Sequence, residues 1–189
     1  SYSFEGLTKL SQNLHQGMNK YLIRDPYQGE LRPILINSWE SCYFDFDGEA
    51  IYQLAKSAKD CDIDMVVMDD GWFGKRNNDD AGLGDWYVNE EKLGESLASL
   101  THRIHELGMK FGIWFEPECI NEDSDLYRKH PDYALKVPGH KFIRSRDQLV
   151  LDFSRQEVVD AIFNQVCDVL DHAEIDYIKW DFNRSISDL

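Results

Sequence analysis

Four short stretches of the 189-residue sequence set carboxylates, amides and indoles side by side, each next to a run of apolar residues. Asn37-Ser38-Trp39-Glu40 follows Ile34-Leu35-Ile36, and Asp69-Asp70-Gly71-Trp72 follows Met65-Val66-Val67-Met68. Trp114-Phe115-Glu116-Pro117-Glu118 closes Phe111-Gly112-Ile113, and Asp181-Phe182-Asn183-Arg184 closes Tyr177-Ile178-Lys179-Trp180. Side chains alternate faces along a strand, so Lys179 and Asp181 point one way and Trp180 the other, into a helix layer. A cation beside a carboxylate favours its charged form. An ionised, positioned carboxylate is what a nucleophile or a metal ligand needs; a structural ion pair is the plainer alternative. Asp69 and Asp70 cannot both face inward from one strand, so one meets the site and the other starts the loop at Gly71. Together they could clamp vicinal sugar hydroxyls or hold a metal. Trp39 and Trp114 offer flat faces to a pyranose ring, or plain core packing.

Other candidates carry less. His102 and His105 lie one turn apart, but His-Arg-Ile-His-Glu matches neither HExxH nor HxxEH, and an exposed helix face is expected. Glu116 and Glu118 flank Pro117 and either shape the loop or react. Asn77-Asn78-Asp79-Asp80 reads as a solvated loop tip, and Gly82-Leu83-Gly84-Asp85-Trp86 as a structured rim segment.

These groups need elements to hold them. Residues 1–33 read as a lead-in: a weak helix from Leu7 to Tyr21, then turn text from Arg24 through Pro26 to Gly29. From Ile34 the apolar runs alternate with helical stripes. One spans Asp47 to Lys59 on Ile51, Leu54, Ala55 and Ala58; another uses Leu97, Leu100, Ile104 and Leu107 and stops at Gly108. Ser154-Arg155-Gln156-Glu157 reads as a capping box opening a helix with Val159, Ile162, Phe163, Val166, Val169 and Leu170. Leu149-Val150-Leu151 is taken as an extended piece feeding that helix rather than as a fifth strand. Continuous apolar strands between amphipathic helices mean an α/β fold with a parallel sheet. No GxGxxG or GxxxxGK[ST] follows a strand, which removes the usual nucleotide-binding versions. The remaining form is a (β/α)₈ TIM-type barrel of about 250 residues, of which residues 34–189 would supply about the first four units. In such a barrel the C-terminal strand ends share one mouth, and the four polar clusters would meet there.

Composition narrows the partners. Thirty-five acidic against twenty basic residues leave a formal charge of −15, which repels phosphate backbones and anionic membranes, so neither nucleic acid nor a membrane is expected as a partner. Four cysteines (Cys42, Cys61, Cys119 and Cys167) without a CxxC pair fit a reduced, cytoplasmic protein. No apolar run of about 18 residues and no leader are visible. A first residue other than Met, and an end just after a strand, read as a segment of something longer.

Five ordered motifs carry a resemblance: Ile36-Asn37-Ser38-Trp39-Glu40, Met68 through Arg76, Leu83-Gly84-Asp85-Trp86, Gly112 through Glu118, and Tyr177 through Arg184. In this order and spacing the chain closely resembles bacterial α-galactosidases of glycoside hydrolase family 36. The resemblance implies the first half of a catalytic (β/α)₈ barrel, in a protein that removes terminal α-galactose from melibiose- and raffinose-type oligosaccharides. It implies Asp181 as the nucleophile, Asp69 and Asp70 as ligands of the galactose hydroxyls, Trp39 and Trp114 as pocket walls, and Arg146, Lys179 and Asn183 as further donors. It implies no cofactor and no metal, and a homo-oligomer in the full-length protein. Phe182 stands where the family usually has Met. A retaining glycosidase needs a second carboxyl about 5–5.5 Å from the nucleophile, and in this family that Asp comes from the second barrel half. The chain alone is therefore expected to be weak or inactive. Three alternatives stand beside this reading. One is a non-catalytic sugar-binding or assembly piece, and another is a Mg²⁺-dependent barrel lyase or isomerase built on Asp70, Glu116, Glu118 and Asp181. The third is a galactosyl transferase of the raffinose-synthase type.

Overall fold

The computed structural model describes residues 2–25, 27–142 and 144–184. Pro26 of the expected turn, and residues 185–189 of the expected barrel segment, lie outside the described residues. The chain divides into two compact units, residues 1–33 and the remainder from Ile34. The first unit holds helix α1 (Leu7–Tyr21), none of whose residues is buried.

The second unit runs β1 (Leu35–Asn37), α2 (Trp39–Cys42), α3 (Gly48–Lys59), β2 (Met65–Met68), α4 (Glu90–Leu93), α5 (Leu97–Glu106), β3 (Lys110–Phe115), β4 (Cys119–Asn121), α6 (Asp125–Lys129), β5 (Gln148–Val150), α7 (Gln156–Asp171) and β6 (Tyr177–Trp180). Strands β1, β2, β3 and β6 form one parallel sheet in that order. All four residues of β2 are buried, as are the last five of β3; covering both faces is what makes these strands read as unbroken apolar text. Gly112 in β3 has a steric reason: a Cβ there would sit 3.0 Å from both Val67 Cγ2 and Tyr177 Cδ1. Asp47 caps α3 by accepting from Ala50 N at 2.8 Å, and Ser96 caps α5 by accepting from Ser99 N at 3.2 Å. Each helix then turns its predicted stripe inward, Ile51, Ala55 and Ala58 from α3 and Leu97, Leu100 and Ile104 from α5.

Four expectations need correction. The Ser154 capping box does not form: α7 starts from Arg155 without a side-chain cap, and Ser154 Oγ donates to Asp152 Oδ1 at 2.6 Å instead. The inward stripe of α7 is Val158, Ile162, Val166 and Val169, which leaves Phe163 62% exposed on the flank. Trp180 does not enter a helix layer among the described residues; it is 59% exposed and lines a groove of about 470 Å³ with Pro117, Leu135, Val150, Phe153 and Phe182. The Leu149 segment is a true strand, β5, but it pairs antiparallel with β4 and stays out of the parallel sheet. Strand β4 had no signal of its own, since Cys119-Ile120-Asn121 is too short for a period to show. All four cysteines are free.

Candidate functional site

Register brings the polar clusters together. Asn37 pairs with Val67, Met68 with Ile113 and Phe115 with Trp180, so the residues just after each strand emerge at one edge of the sheet. Backbone bonds extend the ladder past the strands: Ser38 N donates to Val67 O at 3.0 Å and Asp181 N to Phe115 O at 2.8 Å.

Asp69 is the centre of this edge and is buried. Its Oδ2 accepts from Asn37 Nδ2 at 2.6 Å and from Lys179 Nζ at 2.7 Å, while Oδ1 accepts from Asp70 N at 2.9 Å. The sequence suggested that Lys179 serves Asp181; its direct ion pair is with Asp69, reached across β3 from β6. Asp70 is also buried and is gripped by Arg76, whose Nε lies 2.9 Å from Oδ1 and whose Nη2 lies 2.8 Å from Oδ2. Burial pushes the Asp70 carboxyl above its ordinary value, and the Arg76 hydrogen bonds and charge pull against it. Arg76 itself is fully buried, with its remaining donors on Asp79 O, Ala81 O and Asn121 Oδ1.

Asp181 is the candidate nucleophile. Burial pulls its carboxyl up, but hydrogen bonds from Asn183 and Trp114 and the charge of Lys179 outweigh that and hold it below the usual carboxylate range. Oδ2 accepts from Asn183 Nδ2 at 2.9 Å and from Trp114 Nε1 at 3.2 Å, while among the described residues Oδ1 has only Phe182 N at 3.2 Å. Behind this turn lie Glu116 and Glu118, both buried. Glu118 Oε1 accepts from Asn183 N at 3.0 Å. Desolvation pushes Glu116 up to about 7, with Glu118 and Asp70 adding like-charge repulsion and Asn183 and Arg146 pulling the other way.

The other predicted residues scatter in role. Trp39 is half-buried and meets Tyr43 and Phe44 edge-on, with centroids 5.1 Å away in each case. Trp114 is buried against Phe73 and Trp86, so what it offers the site is its N–H. Arg146 sits in a turn where it and Asp147 both take φ of 54°, a costly left-handed pair for residues with a Cβ. Its guanidinium bonds Asp79 Oδ1 at 3.2 Å. The tip at Asp79 is therefore tied down by Arg76, Asn121 and Arg146 rather than simply solvated. His102 is exposed beside Glu106, as expected. His105 departs from expectation: its Nε2 lies 2.8 Å from Asp176 Oδ2, which also accepts from Phe111 N. The rim segment has a concrete task, since the Asp85 carboxylate accepts from Asp125 N and Leu126 N at the start of α6. Sequence reasoning passed over Asn37 and Arg76; a cation six residues after Asp70 was the available signal for the second.

Among the described residues, one group of ligand-type side chains is close enough for a metal: Glu116, Glu118 and Cys119 bring one atom each within 4.8 Å of one another. Burial and the two glutamates push the Cys119 thiol far up, and it donates toward Glu116 Oε1 at 3.7 Å. Asp70 and Asp181 do not join this group, and Asp70 already has Arg76 on both oxygens, so the Mg²⁺ set drawn from the sequence is not assembled among the described residues.

Comparison with known proteins gives a consistent neighbourhood. A family profile described as Melibiase matches residues 1–189. The bifunctional alpha-galactosidase/sucrose kinase AgaSK of Mediterraneibacter gnavus is 62% identical over 189 residues, covering 100% of this chain and 20% of that protein. The alpha-galactosidase Mel36A of Lactobacillus acidophilus is 46% identical over 188 residues, covering 100% and 26%. Among solved structures, the GH36 alpha-galactosidase AgaB from Geobacillus stearothermophilus matches with a TM-score of 0.94 at 46% identity, over 100% of this chain and 26% of that one. A variant of AgaA from the same organism, solved in complex with raffinose, matches with a TM-score of 0.92 at 46% identity, over 97% and 26%. The chain spans about a quarter of the length of these relatives. No described helix is long and apolar enough to cross a membrane.

Proposed function

Because the chain belongs to the melibiase family, the alpha-galactosidases of glycoside hydrolase family 36, we propose that it is the part of a retaining α-galactosidase that carries the nucleophile and most of the galactose recognition. The four-stranded parallel sheet is then the first half of a (β/α)₈ barrel, and its polar edge is the floor of the active-site mouth. The observation that carries the reading is the state of Asp181: an ionised carboxylate at a strand end, with one oxygen anchored by Asn183 and Trp114 and the other nearly free.

In this reading Oδ1 of Asp181 attacks the anomeric carbon of an α-galactoside as the glycosidic oxygen leaves, giving a covalent galactosyl ester that water later opens. Asp69, Lys179, Asn37 and the Arg76-bound Asp70 form a fixed set of acceptors and donors for the sugar hydroxyls. Trp39 walls the pocket, and Arg146 and Asn183 add donors. Both displacements need an acid/base carboxyl, which the family resemblance assigns to an Asp outside these residues. Terminal α-galactosides of the raffinose and melibiose type are the substrates proposed, as variants of one relative, AgaA, have been solved with raffinose and with stachyose.

The test uses p-nitrophenyl α-D-galactoside, whose leaving group needs little acid assistance, with both the 189-residue chain and the complete natural protein that carries it. Nitrophenol release and a covalent hexose by intact mass are expected in the complete protein, and Asp181→Ala removes both. No release from the complete protein, or an adduct that persists in Asp181→Ala, overturns the assignment. A burst from the 189-residue chain would show that its own residues make a working nucleophile.

A further inference from the structure

Glu118 is 3% exposed, and its two oxygens have different fates. Oε1 accepts from the backbone N–H of Asn183 at 3.0 Å; Oε2 is buried with no hydrogen-bond partner among the described residues. A carboxyl kept in such a place, pushed above its ordinary pKa by desolvation, costs stability unless it does something its neighbours need. What it touches is the turn that carries Asp181: Asn183, fixed through its N–H, turns its side chain back so that Nδ2 donates to Asp181 Oδ2 at 2.9 Å. Asn183 is itself exposed and lies beyond the end of β6, so no strand ladder holds it. Among the described residues, the contact that fixes its backbone is Glu118, delivered from the β3–β4 connection by way of Pro117. Glu116, two residues earlier and just past the end of β3, is buried beside the same turn.

We infer that Glu118 is a positioning residue for the Asp181 nucleophile, acting through Asn183: its Oε1 fixes the Asn183 backbone so that the Asn183 amide keeps the Asp181 carboxylate anchored on one oxygen and free on the other. This rests on the proposed galactosidase reading and adds to it a residue that does not meet the sugar. The role asks for an acceptor at Oε1 and not for a charge. Glutamine therefore satisfies it, and any side chain without an acceptor does not.

The experiment uses the complete natural protein carrying this sequence, with steady-state hydrolysis of p-nitrophenyl α-D-galactoside and a ¹³C-carboxyl titration of Asp181. Glu118→Ala lowers kcat about 10–100-fold, the range for lost support behind a reacting group, with KM changed less than about threefold. Glu118→Met, of similar reach and without an acceptor, carries the same expectation should the alanine variant fail to fold. Glu118→Gln restores most of the loss. In an Asn183→Ala background the further change Glu118→Ala costs no more than about twofold, because the link it acts through is already gone. The titration moves in step: the Asp181 pKa is higher in Glu118→Ala and Glu118→Met, which lose the Asn183 donor, than in Glu118→Gln, which lacks the same charge and keeps the acceptor. A wild-type kcat in Glu118→Ala, an undiminished loss in the Asn183→Ala background, or an Asp181 titration that is the same in Glu118→Ala and Glu118→Gln overturns the inference. A complete wild-type protein that releases no nitrophenol sinks the galactosidase reading instead, and the titration, which needs no turnover, still decides the positioning role.

Discussion

Arg76 and Glu116 are buried charges with opposite consequences. Arg76 sits wholly inside the protein with both Asp70 oxygens in its fork. Removing it strands a buried carboxylate, and breaking a buried pair from one side typically costs about 3–5 kcal/mol. Arg76→Met is expected to lower the unfolding free energy from urea denaturation by that order, and adding Asp70→Asn should recover part of it, because the double variant leaves no unpaired charge. A single variant as stable as wild type would mean that Asp70 finds another partner. Glu116 works the other way. Its folded-state pKa is raised to about 7, so the folded chain binds a proton more tightly than the unfolded chain does. Stability therefore falls as pH rises from the ordinary carboxylate range toward about 7, and the cost stays in place above that. Glu116→Gln should match wild type near pH 4 and gain on the order of 2–3 kcal/mol at pH 8. Paired denaturation curves across that range check the sign; a gain that shrinks with rising pH would refute it.

The four parallel strands and the two capped helices were readable because each rests on one local rule. Strands β2 and β3 are buried on both faces and so are uniformly apolar. Helices α3 and α5 have an Asp or Ser at the right place and a stripe of period 3.6. Reading failed where a competing partner decided. Ser154 matched a cap pattern, but Asp152, two residues earlier, took its hydroxyl. The β4–β5 pair is made by residues 119–121 and 148–150, too short and too far apart to announce each other. At the site, the types and faces of Asp69, Asp181 and Lys179 were legible, and their pairing was not: whether Lys179 meets Asp181 two residues away or Asp69 across β3 depends on strand order, which no window of sequence contains. Gly112 belongs to this scale too. Its hydrogen is the only substituent that fits between Val67 and Tyr177. Gly112→Ala must push β2 or β6 away from β3, at about 1–3 kcal/mol for overpacking. The same splay shifts Asp181 against Asp69, so thermal midpoint and hexose-adduct yield should fall together. A variant that loses stability but keeps full adduct yield would show that the site tolerates movement of the sheet.

A polypeptide of residues 1–189 carries opposing tendencies over its whole surface. Its charge of −15 drives copies apart. Against this, the sheet has two edge strands, β1 and β6, with Ile34, Tyr177, Trp180 and Phe182 each at least 40% exposed beside them. Unpaired parallel edges with apolar neighbours are templates for pairing with another copy. Repulsion between exposed charges reaches about 30 Å at 0.01 M salt and about 8 Å at 0.15 M, whereas apolar burial at a contact is hardly screened. Added salt should therefore favour association, the reverse of what a complex held by ion pairs would do. Light scattering of the 189-residue chain is expected to give a larger mass at 0.5 M than at 0.02 M salt. Trp180→Glu, which places a further negative charge in the groove beside Pro117 and Phe182, should hold it near the monomer mass at both. A mass that falls with salt would locate the contact in charged pairs instead. An unaltered response in Trp180→Glu would move it from the β6 edge to β1.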